Sequence, residues 1–153
     1  MTPVGAISLV VGGAAVVEDL TRRRISNWTW GVALASGLVL HISQAGWRGA
    51  VTAGAGTLVG FTVFLIFYLL KGMGAGDLKL MAGFGSLLGP SVILCAAWIA
   101  AVVGALIGVG YAVGISVWRR HLAGAGAQVP QAETIPYAPA IVAGAWLAEV
   151  ALG

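Results

Sequence analysis

Apolar residues fall in six runs along this chain, over residues 3–17, 28–42, 50–70, 78–88, 91–117 and 135–152, with polar residues gathered between them. A helix needs roughly 20 apolar residues to cross the hydrocarbon of a bilayer. The third and fifth runs reach that length, while the first and fourth fall below it. The breaks are distinct in kind. Glu18-Asp19 and a basic loop, Thr21 to Asn27, follow the first run, and a short polar turn over 43–49 holds Gln44 and Arg48. A glycine-rich stretch, Gly72-Met-Gly-Ala-Gly-Asp-Leu-Lys-Leu80, follows the third run, and Gly89-Pro90 stops the fourth. Trp118-Arg-Arg-His121 opens a last polar loop up to Thr134. Trp28 and Trp30 suit a membrane–water interface. The pattern predicts an all-α polytopic membrane bundle of about six transmembrane helices, forming a single domain over 1–153.

Charge orients that bundle. With six crossings, Arg22, Arg23, Arg24, Lys71, Lys79, Arg119 and Arg120 lie on one side and only Arg48 on the other. If the short fourth run were re-entrant, Arg119 and Arg120 would change sides. The positive-inside rule prefers six crossings, with both termini outside the cytoplasm. Composition agrees: 59% of residues are hydrophobic and 8% charged, where a soluble domain carries roughly 25% charged residues. No basic patch with interleaved aromatics supports nucleic-acid binding. Cys95 is the only cysteine, which excludes an internal disulfide and a Cys-x-x-Cys metal site; it reads as a small buried hydrophobe. The first run lacks a basic leader and reads as a retained span, not a cleaved signal peptide. Gly56 and Gly60, Gly104 and Gly108, and Gly110 and Gly114 have the small-xxx-small spacing that lets helix backbones approach in lipid. No internal repeat of the transporter kind is visible.

The chemistry concentrates in two acids. An ionisable group near hydrocarbon costs about 2.5–3.5 kcal/mol at a helix centre, so Asp77 is a functional candidate by default. Glycines at 72, 74 and 76 clear the space around it. The plainer reading is a loop aspartate capping the next helix. In the six-helix topology Asp19 ends the first helix and Asp77 begins the fourth at the same face, so packing those helices together joins the carboxylates. Glu18 points about 100° away from Asp19 on a helix and is expected to face headgroups. Glu133 reads as a solvated loop charge, and Glu149 falls on the outer side. Two carboxylates about 4 Å apart repel by about 4 kcal/mol at an effective dielectric near 20, so the pair would share one proton, as in aspartic proteases. The ionised member takes a proton from an attacking water; the protonated one polarises the peptide carbonyl and then protonates the leaving nitrogen. Helix dipoles favour the anion on Asp77, at an N-terminus, over Asp19, at a C-terminus. On that ground Asp77 is expected to be the base and Asp19 the acid, an order that the nearby charges of Arg22 to Arg24 and Lys79 could reverse. Two other readings stand beside this one. The acids could bind a cation or relay protons in a small transporter or assembly scaffold, or hold a divalent metal, although His41 and His121 lie far away in the chain.

Three stretches resemble one family. Gly74-Ala-Gly-Asp77 with Lys79-Leu80 is similar to the GxGDxKL motif of the type IV prepilin leader peptidases, which are membrane aspartic endopeptidases. Asp19-Leu-Thr-Arg-Arg-Arg-Ile-Ser-Asn27 resembles their first-aspartate motif, which runs on to Ile-Pro-Asn. Ile135-Pro-Tyr-Ala-Pro-Ala140 resembles their last segment, Ile-Pro-Tyr-Gly-Pro-Ala. Here Ser26 and Ala138 stand at the usual Pro and Gly. The resemblance implies catalysis by Asp19 and Asp77, a site shaped by Gly74, Gly76 and Lys79, and no metal or cofactor. It implies a pilin-like precursor as the peptide substrate, its short basic leader cut at the cytoplasmic face of a prokaryotic cell membrane. Membrane lipid is the remaining expected partner. Without the two Cys-x-x-Cys pairs of the larger members, the chain resembles the short ones, and the N-methylating activity of the larger members is not implied.

Overall fold

The protein, seen in a computed structural model, is described over residues 2–22, 25–70, 73–122 and 137–152, with the backbone alone for 118–122. Arg23, Arg24, Lys71, Gly72, Glu133 and the first two residues of the Ile135-Pro136 segment lie outside the described residues. Four helices appear: α1 (Pro3–Arg22), α2 (Asn27–Leu69), α3 (Ala75–Leu122) and α4 (Ala138–Leu152). No strand occurs among the described residues. α1, α2 and the Ala75–Val117 part of α3 are long and apolar enough to cross a membrane, while α4 is a shorter apolar helix of 15 residues. Large apolar side chains such as Val10, Trp98, Leu106 and Val150 face outward, as they must in a protein whose solvent is lipid.

The six helices expected from the apolar runs are thus four. The second and third runs join into α2, and the fourth and fifth into α3, because a single residue suffices to turn the chain. Gly46 (φ 56°, ψ −132°) and Gly89 (φ 75°, ψ 173°) are the non-helical points. Both conformations are strained for a residue with a Cβ. At Gly89 the break is reinforced by Pro90, which has no N–H to continue the ladder. The polar turn expected over 43–49 is otherwise helical.

Each break folds its helix back on itself. A Cβ on Gly49 would run into the His41 carbonyl, eight residues away and about 12 Å distant on a straight helix. Gly37 and Gly56 of the two α2 limbs both press on α3, at Ser86 and Gly85. In α3, Met81 and Ile93 flank the same residue, Gly60. Beside the α3 break, His41 Nε2 donates to Leu87 O at 3.2 Å.

The first limb of α3, residues 75–88, is the centre of the bundle. Leu80, Met81 and Phe84 are fully buried, and every residue from 80 to 89 is buried. This explains a run too short to look like a span: it is enclosed by protein, chiefly by α2. α1 and α4 pack antiparallel, with Gly12 against Val142 and Gly5 against Glu149. The start of α1 and the end of α4 therefore lie together, tied by Thr2 Oγ1 donating to Glu149 Oε1 at 3.1 Å. The glycine pairs divide. Gly56 and Gly60 sit in backbone contacts and Gly104 takes the Tyr137 ring, whereas Gly108, Gly110 and Gly114 face open space.

Candidate active site

One end of the bundle collects the start of three helices and the end of the fourth. Asp19 lies in the last turn of α1, and Asp77 in the first turn of α3. Both are buried, each with 8% of its surface exposed. Their carboxylates lie within electrostatic reach of one another, and α1 packs on α3. The sequence reading placed the two aspartates at one face, where they meet only if their helices pack together.

The local chemistry at Asp77 is a helix cap. Asp77 Oδ2 accepts the Gly74 N–H at 3.1 Å, the reach-back half of a capping box. Gly74 then accepts the Leu78 N–H to open the helix. Capping and function therefore coexist: the hydrogen bond that starts α3 also fixes the carboxylate. Gly76 does a different job. A Cβ there would stand 3.2 Å from Ile25 Cβ, so glycine lets the start of α3 lie against the segment that leads into α2. Lys79 is exposed, and its Nζ donates to Asn27 Oδ1 at 2.9 Å. It ties the α3 start to the first residue of α2. Lys79 also stands at the edge of an apolar cleft of about 520 Å³ lined by Trp30, Thr57, Phe61 and Ser86. By helical spacing that face of α3 is turned away from Asp77.

Asp19 has a partner that the sequence did not indicate. Its Oδ2 accepts the Ala138 N–H at 3.1 Å, the first N–H of α4. The carboxylate thus serves as a cap for a helix more than a hundred residues away, at a positive dipole end. The expected asymmetry between the aspartates fails for this reason. Asp19 ends one helix but faces the start of another, so both carboxylates sit at helix N-termini and the dipoles do not decide which is the base. Ala138 belongs to the segment that resembles the family's last motif, which places all three motifs at one end of the bundle.

Glu18 also has partners that the sequence did not indicate. Its carboxylate accepts from Ser26 N–H (3.0 Å), Trp28 Nε1 (3.0 Å) and Thr29 Oγ1 (2.9 Å). The 100° offset from Asp19 holds, but the direction leads to α2. Glu149 lies at the far end of α4, where Ser8 Oγ donates to it at 2.8 Å. Eleven residues of helix separate Ser8 from Asp19, about 16 Å. Among the described residues no group of three or more His, Cys, Asp or Glu side chains is assembled. Cys95 packs half-buried against the core.

No curated protein and no solved structure matches this sequence. The model of the type IV leader peptidase family matches residues 6–109. That span holds Asp19, Asp77 and the glycines around the latter, and it stops short of α4. Covering more than half of the chain, the match agrees with the motifs and with the helical bundle that joins them, and this chain belongs to the type IV leader peptidase family.

Proposed function

We propose that the protein is an aspartic endopeptidase of the cell membrane that removes the short basic leader from type IV pilin-like precursors. The observation that carries this is the burial of two carboxylates, from helices far apart in sequence, at one end of an apolar bundle. A buried pair of acids repels and is stabilised by holding one proton between them. The ionised carboxylate then takes a proton from water as the oxygen attacks the peptide carbonyl. The protonated carboxyl polarises that carbonyl and gives its proton to the leaving nitrogen. The bound N–H groups of Gly74 and Ala138 hold the two carboxylates in place through this exchange. Gly74 leaves room for an extended peptide, while Gly76 against Ile25 and Lys79 on Asn27 keep the α3 start seated.

In this reading all six limbs cross the bilayer, with the aspartates at the cytoplasmic face and both chain ends outside. The arrangement puts Arg22 and Lys79 on the inner side with the flanking basic loops, and Arg48 outside. The precursor's hydrophobic helix then lies in the membrane with its leader in the cytoplasm.

The test is leader removal from a co-expressed pilin precursor by the wild type, Asp19→Asn and Asp77→Asn, with membrane insertion checked for each. Loss of cleavage in both variants supports the peptidase, and undiminished cleavage favours a scaffold or transporter. Cleavage that survives a chelator sets a divalent metal aside. Thiol labelling from either side, at cysteines placed at positions 22 and 48, checks the orientation.

A further inference from the structure

Glu18 and Lys79 flank the two aspartates in sequence, one residue before Asp19 and two after Asp77, and both grip the same short stretch. Glu18 takes three donors from Ser26, Trp28 and Thr29. Lys79 holds Asn27, and Gly76 lies against Ile25. The residues 25–29 that open α2 are thus wedged between the end of α1 and the start of α3. Thr29 is fully buried while Asn27 and Trp28 are exposed, so the wedge is anchored in the packed structure at Thr29 and reaches the surface on its other side. On a helix Glu18 and Asp19 diverge by about 100°. With Glu18 fastened to α2, Asp19 is turned toward Ala138 and Asp77.

We propose that Glu18 is a positioning residue of the active site, setting the separation of the two aspartates by locking the end of α1 to the wedge seated on α3. The proposal rests on the peptidase reading given above. Charge suits Glu18 to this role. An ionised carboxylate accepts several hydrogen bonds at once, and three donors from one turn fix its position more tightly than a single bond. A plain cap of α2 would stabilise the helix and leave the chemistry unaffected.

Ser26 provides a way to separate the two. Its backbone (φ −69°, ψ 146°) already has the proline conformation, so Ser26→Pro fits the chain, removes the N–H that Glu18 accepts, and stiffens the turn by a covalent ring. The experiment measures kcat and KM per folded molecule for wild type, E18A, E18Q and E18A/S26P. A short bifunctional thiol reagent also measures cross-linking of a D19C/D77C pair, in a C95A background, with and without E18A. The expected result for E18A is a fall of about 10–100-fold in kcat, with KM within about twofold. E18Q, which keeps one acceptor, falls less, and E18A/S26P recovers at least several-fold. Cross-linking slows in E18A. The proposal is overturned if E18A keeps the wild-type kcat per folded molecule, or if cross-linking is unchanged. Should E18A not fold, a wild-type kcat in E18Q overturns it equally. If the wild type cleaves no precursor the peptidase reading fails, and the cross-linking comparison still decides whether Glu18 sets the spacing.

Discussion

Gly56 and Gly54 offer a matched test of how the bundle is held together. Both lie in the second limb of α2, two residues apart. A Cβ on Gly56 would collide with the Gly85 carbonyl, while a Cβ on Gly54 meets nothing within 4 Å. Gly85 in turn presses on the Gly56 carbonyl. The contact is backbone on backbone, in the buried rod that carries Asp77, so no side chain can move aside. Each glycine-to-alanine change gains up to about 1 kcal/mol of helix propensity. Only Gly56→Ala adds overpacking, about 1–3 kcal/mol. The propensity gain cancels between the variants, and the gap between them is the collision alone, about 1–3 kcal/mol. At about 2–4 °C per kcal/mol for a chain of this size, that is roughly 2–12 °C in Tm. Thermal unfolding of the purified protein in detergent reads it directly. Gly56→Ala is expected below wild type and Gly54→Ala at or above it. Equal stability of the two, or a reversed order, would refute the close approach of α2 to α3.

Other outcomes follow from the site's geometry. Ser8→Ala removes a donor to the Glu149 carboxylate and costs about 1.5–3 kcal/mol in a detergent unfolding assay, yet leaves kcat within about twofold because the contact is at the opposite end of α1. Lys79→Met and Asn27→Ala each lower kcat a few-fold, and the double variant loses no more than either single one, since both remove the same bond. The pH–rate profile is bell-shaped: at low pH the base is protonated and idle, and at high pH the acid has lost the proton it must donate. A profile flat across the carboxylate range rejects the shared proton.

Much of this arrangement was legible in the sequence, and what was not has a physical reason. The apolar runs located the helical segments because lipid-facing and core positions alike must be apolar. They could not show that pairs of runs join, because a reversal needs only one glycine, and the dihedrals of Gly46 and Gly89 leave no hydropathy signal. Asp19 and Asp77 were brought together by topology and charge alone. The Ala138 contact was not, since a cap supplied by another helix depends on packing between α1 and α4. Glu18 was given its angle from Asp19 but not its three donors. Its donors lie eight to eleven residues ahead, beyond a loop, and the only sequence hint is the hydrogen-bonding set Ser26, Trp28 and Thr29 just where α2 begins. Ser26, at the position where the resembled motif has proline, keeps the N–H that Glu18 uses.

The central claim is that Asp19 and Asp77 act as one unit, and the rates of Asp19→Asn, Asp77→Asn and the double variant on a purified pilin precursor test it most directly. Groups that carry one catalytic step together are strongly non-additive. Either single change is expected to remove nearly all leader cleavage, and the second to add almost nothing. Losses that multiply, or substantial cleavage surviving either single change, would contradict it.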